Sequence, residues 1–253
     1  MEGTYRQEEI GGRRLTLYTP MSYGEEGRRF PVVYLQDNGE VMEHSLNYLE
    51  HLFITKELPE LIFVGITPRD RNHEYTPWPS PALMPGRPDF GGGGGEYLEE
   101  LVGRIKPYVD NSYHTLPGPE HTGLLGCSFG GLISLYGSYL YPDVFGRIGL
   151  ISASFWYEGI VNYIQGQSRT MPEQRIYMYV GELEGLYKTN LQKQMVPQSR
   201  LAHKLLLEQG FSEEALRFET NPIGTHDSVF FSQQLPHALH WLFGAEHAGG
   251  SRV

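Results

Sequence analysis

The stretch "TGLLGCSFGGLISLYGSYLYP", residues 122–142, decides how the chain folds. Its first part, residues 122–127, has the length and apolar character of a strand buried on both faces. The run "LISLYGSYLYP" that follows reads as a helix. Between them, Gly126-Cys127-Ser128-Phe129-Gly130 matches G-x-S-x-G, the signature of a nucleophile at the apex of a sharp strand-to-helix turn. The backbone at such an apex is strained, so its neighbours two positions away must be small. Gly131 adds a second small residue where the helix must pass close to the sheet. Both Cys127 and Ser128 carry nucleophilic side chains, but the apex belongs to Ser128. Side chains alternate along a strand, so Cys127 is expected to point away from the apex, into the packing under the helix, as a small apolar residue.

Outward from this turn, short apolar runs alternate with amphipathic ones, the pattern of an α/β chain with a mostly parallel central sheet and helices on both faces. "RLTLYTP" (14–20) alternates and reads as an early strand. "PVVYLQD" (31–37) and "LIFVGI" (61–66) are near-continuous apolar strands, and residues 40–55 between them have helical spacing. Further strands are expected at 147–154, 175–181 and 216–220, and helices at about 96–109, 129–141, 190–209 and 229–243. Residues 1–253 therefore read as a single domain. One segment lacks periodicity: residues 67–95 hold six prolines and end in five consecutive glycines. A connection of this length reads as an irregular loop or lid. The pentaglycine lacks the Gly-Lys-Ser/Thr of a phosphate-binding loop and reads as a flexible entry into the helix near Glu96.

Composition narrows the function classes. A formal charge of −10 argues against nucleic-acid binding, which needs clustered Lys and Arg. No run approaches the roughly 18 apolar residues of a membrane span, and the N-terminal residues lack the apolar core of a signal peptide, so a cytoplasmic location is the default expectation. The single cysteine allows no intrachain disulfide. No heptad seam specifies an oligomer, and the oligomeric state is left open.

A serine hydroxyl needs a base, and the base an orienting carboxylate; with a nucleophile on this kind of turn the chain order is Ser, Asp or Glu, then His. Of the ten histidines, His226 stands in a Gly-containing loop after the last strand and before the final helix, the place such a base should occupy. His203 is expected to face solvent. His237 and His240, three residues apart on a helix, could suggest a metal pair, but no third ligand is evident and no metal is expected. The loop after the 175–181 strand offers Glu182 and Glu184. Glu184 lies further into the loop and is preferred as the acid; Glu182 is the alternative, or forms an ion pair. The oxyanion would be met by the backbone N–H of Phe129, the residue after the nucleophile, and by that of Asn38 or Gly39, in a loop whose residues tolerate left-handed dihedrals.

With these residues in place, the chain resembles the putative esterase family of the α/β-hydrolase superfamily, which includes esterase D-like enzymes and the enterobactin and bacillibactin trilactone esterases. The similarity runs over roughly residues 12–245 and rests on "VVYLQDNGEVM", "GITPRDRNHEYTPW", "GCSFGGLISLYGSYLYPDVFGRIGLISASFWY", "VGELEG" and "GTHDSVFFSQQLPHALHWLF". It implies an α/β-hydrolase fold, Ser128 as nucleophile, His226 as base, an acid in the 182–184 loop, and no cofactor. Asn38 stands where the family usually has glycine after the aspartate. The implied partner is a small-molecule ester, a siderophore trilactone or another aromatic acyl ester, with Arg69, Arg71, Trp78 and Trp156 as candidate binding residues. The alternative for the first three is structural: aromatic anchors for a long loop, and arginines paired with nearby acids. The same constellation would also serve an acyltransferase, or persist in a catalytically silent binding protein.

Overall fold

The computed structural model describes residues 3–168 and 173–244; the ends of the expected single domain, 1–2 and 245–253, lie outside them. β1 (Thr4–Ile10) turns through Gly11-Gly12 into β2 (Arg13–Thr19), and β3 (Val32–Leu35) leads through α1 (Glu40–Glu43) and α2 (Leu46–Ile54) to β4 (Ile62–Ile66). The 67–95 segment carries the short helix α3 (Arg71–Glu74) and a small hairpin of β5 (Pro79–Ser80) and β6 (Phe90–Gly91). α4 (Gly94–Glu100) continues through a wider π-helical turn at Leu101–Ile105 into α5 (Lys106–Ser112). Thereafter strands and helices alternate: β7 (Thr122–Cys127), α6 (Phe129–Leu140), β8 (Arg147–Ile151), α7 (Ile160–Gln165), β9 (Arg175–Gly181), α8 (Met195–Glu208), β10 (Leu216–Asn221) and α9 (Ser228–Phe243).

The main sheet has eight strands in the order β1-β2-β4-β3-β7-β8-β9-β10. β1 and β2 pair antiparallel with each other and β2 antiparallel with β4, and the remaining pairs are parallel. This is the expected α/β-hydrolase fold. β1 is an addition to the sequence reading. "TYRQEEI" has no apolar alternation, and five of its seven residues are exposed, so pairing comes from the turn: Gly11 and Gly12 both have positive φ, 58° and 75°, as a tight two-residue hairpin turn demands. α7 is likewise additional.

Two apolar layers cover the sheet. α1, α2 and α9 pack on one face around Met42, Leu49, Phe53, Leu235 and Leu239. α4, α5, α6, α7 and α8 pack on the other around Leu98, Ile105, Leu132, Ile160 and Leu206. The chain thus leaves β3 toward one face and its neighbour β7 toward the other. A crevice follows: the carboxyl ends of these two strands are a topological switch point, open to a ligand.

The 67–95 segment is packed down rather than free. Tyr75 and Thr76 are fully buried and Phe90 nearly so. The pentaglycine is a close approach rather than a flexible entry: a Cβ on Gly91 or Gly93 would fall 2.0 or 2.2 Å from the His73 ring. Arg13, fully buried on β2, fastens the segment to the sheet. Its guanidinium donates to both oxygens of Glu74 at 2.9 and 2.7 Å, to the Thr67 carbonyl at 3.1 Å, and to Glu100 at 2.7 Å.

Removing the cation while leaving Glu74 buried is costly, so Arg13→Met is expected to destabilise the fold by about 3–5 kcal/mol in urea unfolding. Burial alone would raise the Glu100 carboxyl, but hydrogen bonds from Arg69 and Arg13 and their charges bring it from 4.5 down to about 2. A depressed folded-state value means that this contribution is complete above pH 4.5 and is lost as pH falls toward 2. Glu100→Gln should flatten the acid limb of stability against pH in that window and leave its slope above it unchanged.

Candidate active site

Ser128 follows β7 directly, with φ 56° and ψ −119°, a conformation that non-glycine residues rarely adopt. The turn closes because its neighbours have no side chain. A Cβ on Gly126 would sit 2.4 Å from the Gly130 carbonyl carbon, and one on Gly131 would sit 2.8 Å from the Ala153 Cβ. The Ser128 N–H donates to the Ile151 carbonyl at 3.0 Å, and its own carbonyl accepts from Leu132 and Ser154. The apex is therefore fixed from both sides.

His226 Nε2 lies 3.0 Å from Ser128 Oγ, and His226 Nδ1 lies 2.7 Å from Glu184 Oε2. A carboxylate only accepts, so Nδ1 carries a proton, and in the neutral ring Nε2 then presents its lone pair to the serine hydroxyl. The Glu184 side chain is fully buried. Its other oxygen accepts from Ser152 Oγ at 2.5 Å and from the Gly181 N–H at 2.8 Å. Glu182 turns outward and pairs with Arg200 at 2.5 Å, the ion pair that the sequence left open. The loops that carry Glu184 and His226 cross where neither has a side chain: a Cβ on Gly181 would lie 2.4 Å from Gly224. Phe231 meets the His226 ring edge-on at 5.0 Å.

At the end of β3, Asp37, Asn38 and Gly39 all have positive φ, 53°, 59° and 76°. For the two non-glycine residues this strain is of order 1–3 kcal/mol each, and it persists only where the surroundings impose it. The Gly39 N–H donates to the Gln36 carbonyl at 3.1 Å and the Asp37 N–H to the Tyr75 hydroxyl at 2.9 Å. Among the described residues no acceptor takes the Asn38 N–H. The Asn38 side chain is held by Thr16 and Thr67, whose hydroxyls donate to its Oδ1 at 2.7 and 3.0 Å. Gly65 on β4 supports the turn from below, where a Cβ would fall 2.1 Å from the Asn38 oxygen. The Phe129 N–H is the first of α6 and has no partner within the helix.

A cleft of about 580 Å3 opens at these groups, lined among others by Asp37, Asn38, Glu40, His44, Arg71, Cys127, Ser128 and Phe231. Of the candidate binding residues, Arg71 alone lines it. Arg69 turns away to Glu100, donating to both its oxygens at 2.8 and 2.9 Å. Trp78 donates its indole N–H to the Glu158 carbonyl and packs among Tyr136, Tyr157 and Tyr163, an anchor of the long segment. Trp156 is 6% exposed in the core, against Phe129. Aromatic and cationic residues in one irregular segment gave no sign of which way each would face. His203 packs against Phe218 at 4.8 Å, half-buried rather than facing solvent. Among the described residues no group of three His, Cys, Asp or Glu side chains could hold a metal ion, and no helix is long and apolar enough to cross a membrane.

Cys127 also differs from expectation. It joins the apolar layer of α1 and α9, on the face opposite α6, and reaches the cleft wall. Strand alternation places it with Leu125 on that face. Ser152 and Ser154 are contacts that the sequence reading missed. Both are fully buried; the first holds Glu184, and Ser154 Oγ lies 3.3 Å from Ser128 Oγ. Their only signal in the sequence is the segment "SASFW" that closes the longest of the family-like stretches.

The sequence model of the family described as Putative esterase matches residues 10–242. The chain belongs to the putative esterase family. As such it is a carboxylic ester hydrolase. Among its relatives, YbbA of Bacillus subtilis (strain 168), an uncharacterized protein, is 36% identical over 244 residues, covering 96% of this chain and 98% of that protein. An IroE-like serine hydrolase from Shewanella oneidensis superposes with a TM-score of 0.81 at 21% identity, over 95% of this chain and 80% of its own. The enterobactin esterase FES from Shigella flexneri superposes with a TM-score of 0.73 at 18% identity, over 96% and 59%. At these identities the two structures speak for the fold.

Burial first, and then the negative charge of Asp37, push the Cys127 thiol well above its usual range. At pH 7.5 it is a neutral thiol. Iodoacetamide is therefore expected to leave both the thiol and the esterase activity intact under native conditions, and to alkylate one thiol in guanidinium, as read by intact mass.

Proposed function

We propose that the protein hydrolyses esters through an acyl-enzyme on Ser128, with His226 as general base and acid and Glu184 as the orienting carboxylate. The observation that carries this reading is the unbroken line from Ser128 Oγ to His226 Nε2 and from Nδ1 to Glu184, set on a strained turn. As Oγ attacks the ester carbonyl, its proton passes to Nε2. The imidazolium so formed is stabilised by Glu184, whose second oxygen stays bonded to Ser152 and Gly181. Negative charge developing on the former carbonyl oxygen is received by the N–H groups of Phe129 and Asn38. Collapse breaks the bond to the alcohol, which leaves with the proton from Nε2. Water then attacks the acyl-enzyme, giving one proton to His226, and the acid departs as Ser128 recovers its hydrogen.

For substrate we favour bulky, aromatic acyl esters, siderophore trilactones among them. The cleft has the size of a site for a drug-sized molecule. A second hollow of about 740 Å3 shares the walls His44, Ser228 and Ser232 with it and continues to Tyr48 and His237.

The test is hydrolysis of p-nitrophenyl butyrate by matched variants. Ser128→Ala and His226→Ala should each lose about 10⁴-fold or more in kcat, and Glu184→Gln roughly 10³–10⁴-fold. Glu182→Gln and Cys127→Ala should stay within about threefold, in keeping with substitutions outside the reacting set. Activity that survives Ser128→Ala and disappears in Cys127→Ala would overturn the assignment. A panel of trilactones, feruloyl esters, S-formylglutathione and short acyl esters ranks the substrates by kcat/KM.

A further inference from the structure

Arg71 came from the sequence as a candidate to hold substrate, yet its geometry assigns it to the oxyanion turn. Its Nε donates to Asp37 Oδ1 at 2.7 Å and its Nη2 to Asp37 Oδ2 at 2.9 Å, a fork-to-fork pair. The guanidinium carbon stands 5.5 Å from the Tyr75 ring centre and 5.6 Å from that of Phe129. One side chain on α3 thus touches the carboxylate of Asp37 and the ring of Phe129, the residues that flank or supply the two proposed oxyanion donors. Tyr75, one residue past α3 and fully buried, accepts the Asp37 N–H on its hydroxyl. That uses the backbone donor next to Asn38 and leaves the Asn38 N–H as the donor of this turn with no acceptor among the described residues. α3 is itself held by Asp70, which caps its first turn, and by the Glu74–Arg13 bond beneath it.

We propose that Arg71 is a positioning residue. Through its bidentate bond to Asp37 it holds the left-handed turn Asp37-Asn38-Gly39 in the shape that aims the Asn38 N–H at the transition-state oxyanion, and the 67–95 segment serves as the brace of this hole. The proposal rests on the serine esterase reading above. It assigns the segment to transition-state stabilisation, where a lid would act on substrate entry. Lysine cannot substitute fully, because an ammonium offers a point charge where the carboxylate meets a planar fork.

Four variants test it: Arg71→Met, Arg71→Lys, Asp37→Asn and the double variant Arg71→Met/Asp37→Asn, with Arg69→Met as control. Active sites are counted by labelling with a fluorophosphonate, so that kcat is per reactive serine. Arg71→Met and Asp37→Asn should each lower kcat by about 100-fold, the scale of one lost oxyanion donor, with KM nearly unchanged. The double variant should be no worse than either single one, since both break the same bond. Arg71→Lys should recover part of the loss, and Arg69→Met should keep its kcat within about twofold, as an exposed ion pair allows. Affinity for a boronic-acid transition-state analogue should fall by the same factor as kcat/KM. A rise in KM at constant kcat would make Arg71 a substrate contact and overturn the proposal, and so would losses that multiply in the double variant. Failure of the wild-type protein to take up fluorophosphonate would instead remove the serine reading, and the brace with it.

Discussion

Neighbouring strands β3 and β7 send the chain to opposite faces of the sheet, and the proposed nucleophile turn and oxyanion turn both follow from that divergence. No helix can cover both strand ends, so two turns stand side by side, at 36–39 and 126–130. Both turns have backbone that ordinary residues avoid. Each is kept there by something that intrudes from elsewhere: β8 beside Ser128, β4 under Asn38, and the 67–95 segment against Asp37. The strain is local and the means of imposing it are spread over half the chain. Backbone N–H groups set in this way need not reorganise as charge develops, which is why fixed donors stabilise a transition state more than water does.

The proposed acid and base are positioned by a different device. Among the described residues no Lys or Arg pairs with the buried Glu184, and three donors share its oxygens: His226, Ser152 and the Gly181 amide. Hydrogen bonds to the charged form offset the cost of desolvating a carboxylate. Glu182, two residues earlier, solves the same problem by facing outward to Arg200.

How much of this was legible in the sequence depends on the kind of contact. That Ser128, His226 and Glu184 would come together was readable from strand ends and chain order, because the parallel sheet brings successive strand ends to one edge. β1 escaped because its residues bury little and only the Gly-Gly turn marks it. Arg69 and Arg71 are two residues apart and chemically identical, yet one meets Glu100 and the other Asp37. Nothing local distinguishes them, since each partner arrives from a distant part of the chain. Gly65 is the extreme case: a glycine inside an apolar strand gives no hint that the Asn38 carbonyl rests where its side chain would be.

The polar outer strand β1 has a meaning for the molecule's dealings with its own kind. A free strand margin is a template on which another copy can add, hydrogen bond by hydrogen bond. Here that margin carries Arg6, Gln7, Glu8 and Glu9, all exposed or half-exposed, and the Glu8 carboxylate is already bonded to the hydroxyls of Tyr108 and Tyr113. A second copy lying alongside would have to strip water from these charges and gain little apolar contact in return. The same poverty of apolar residues that hid β1 from a reading of the sequence makes this edge a poor template for such pairing.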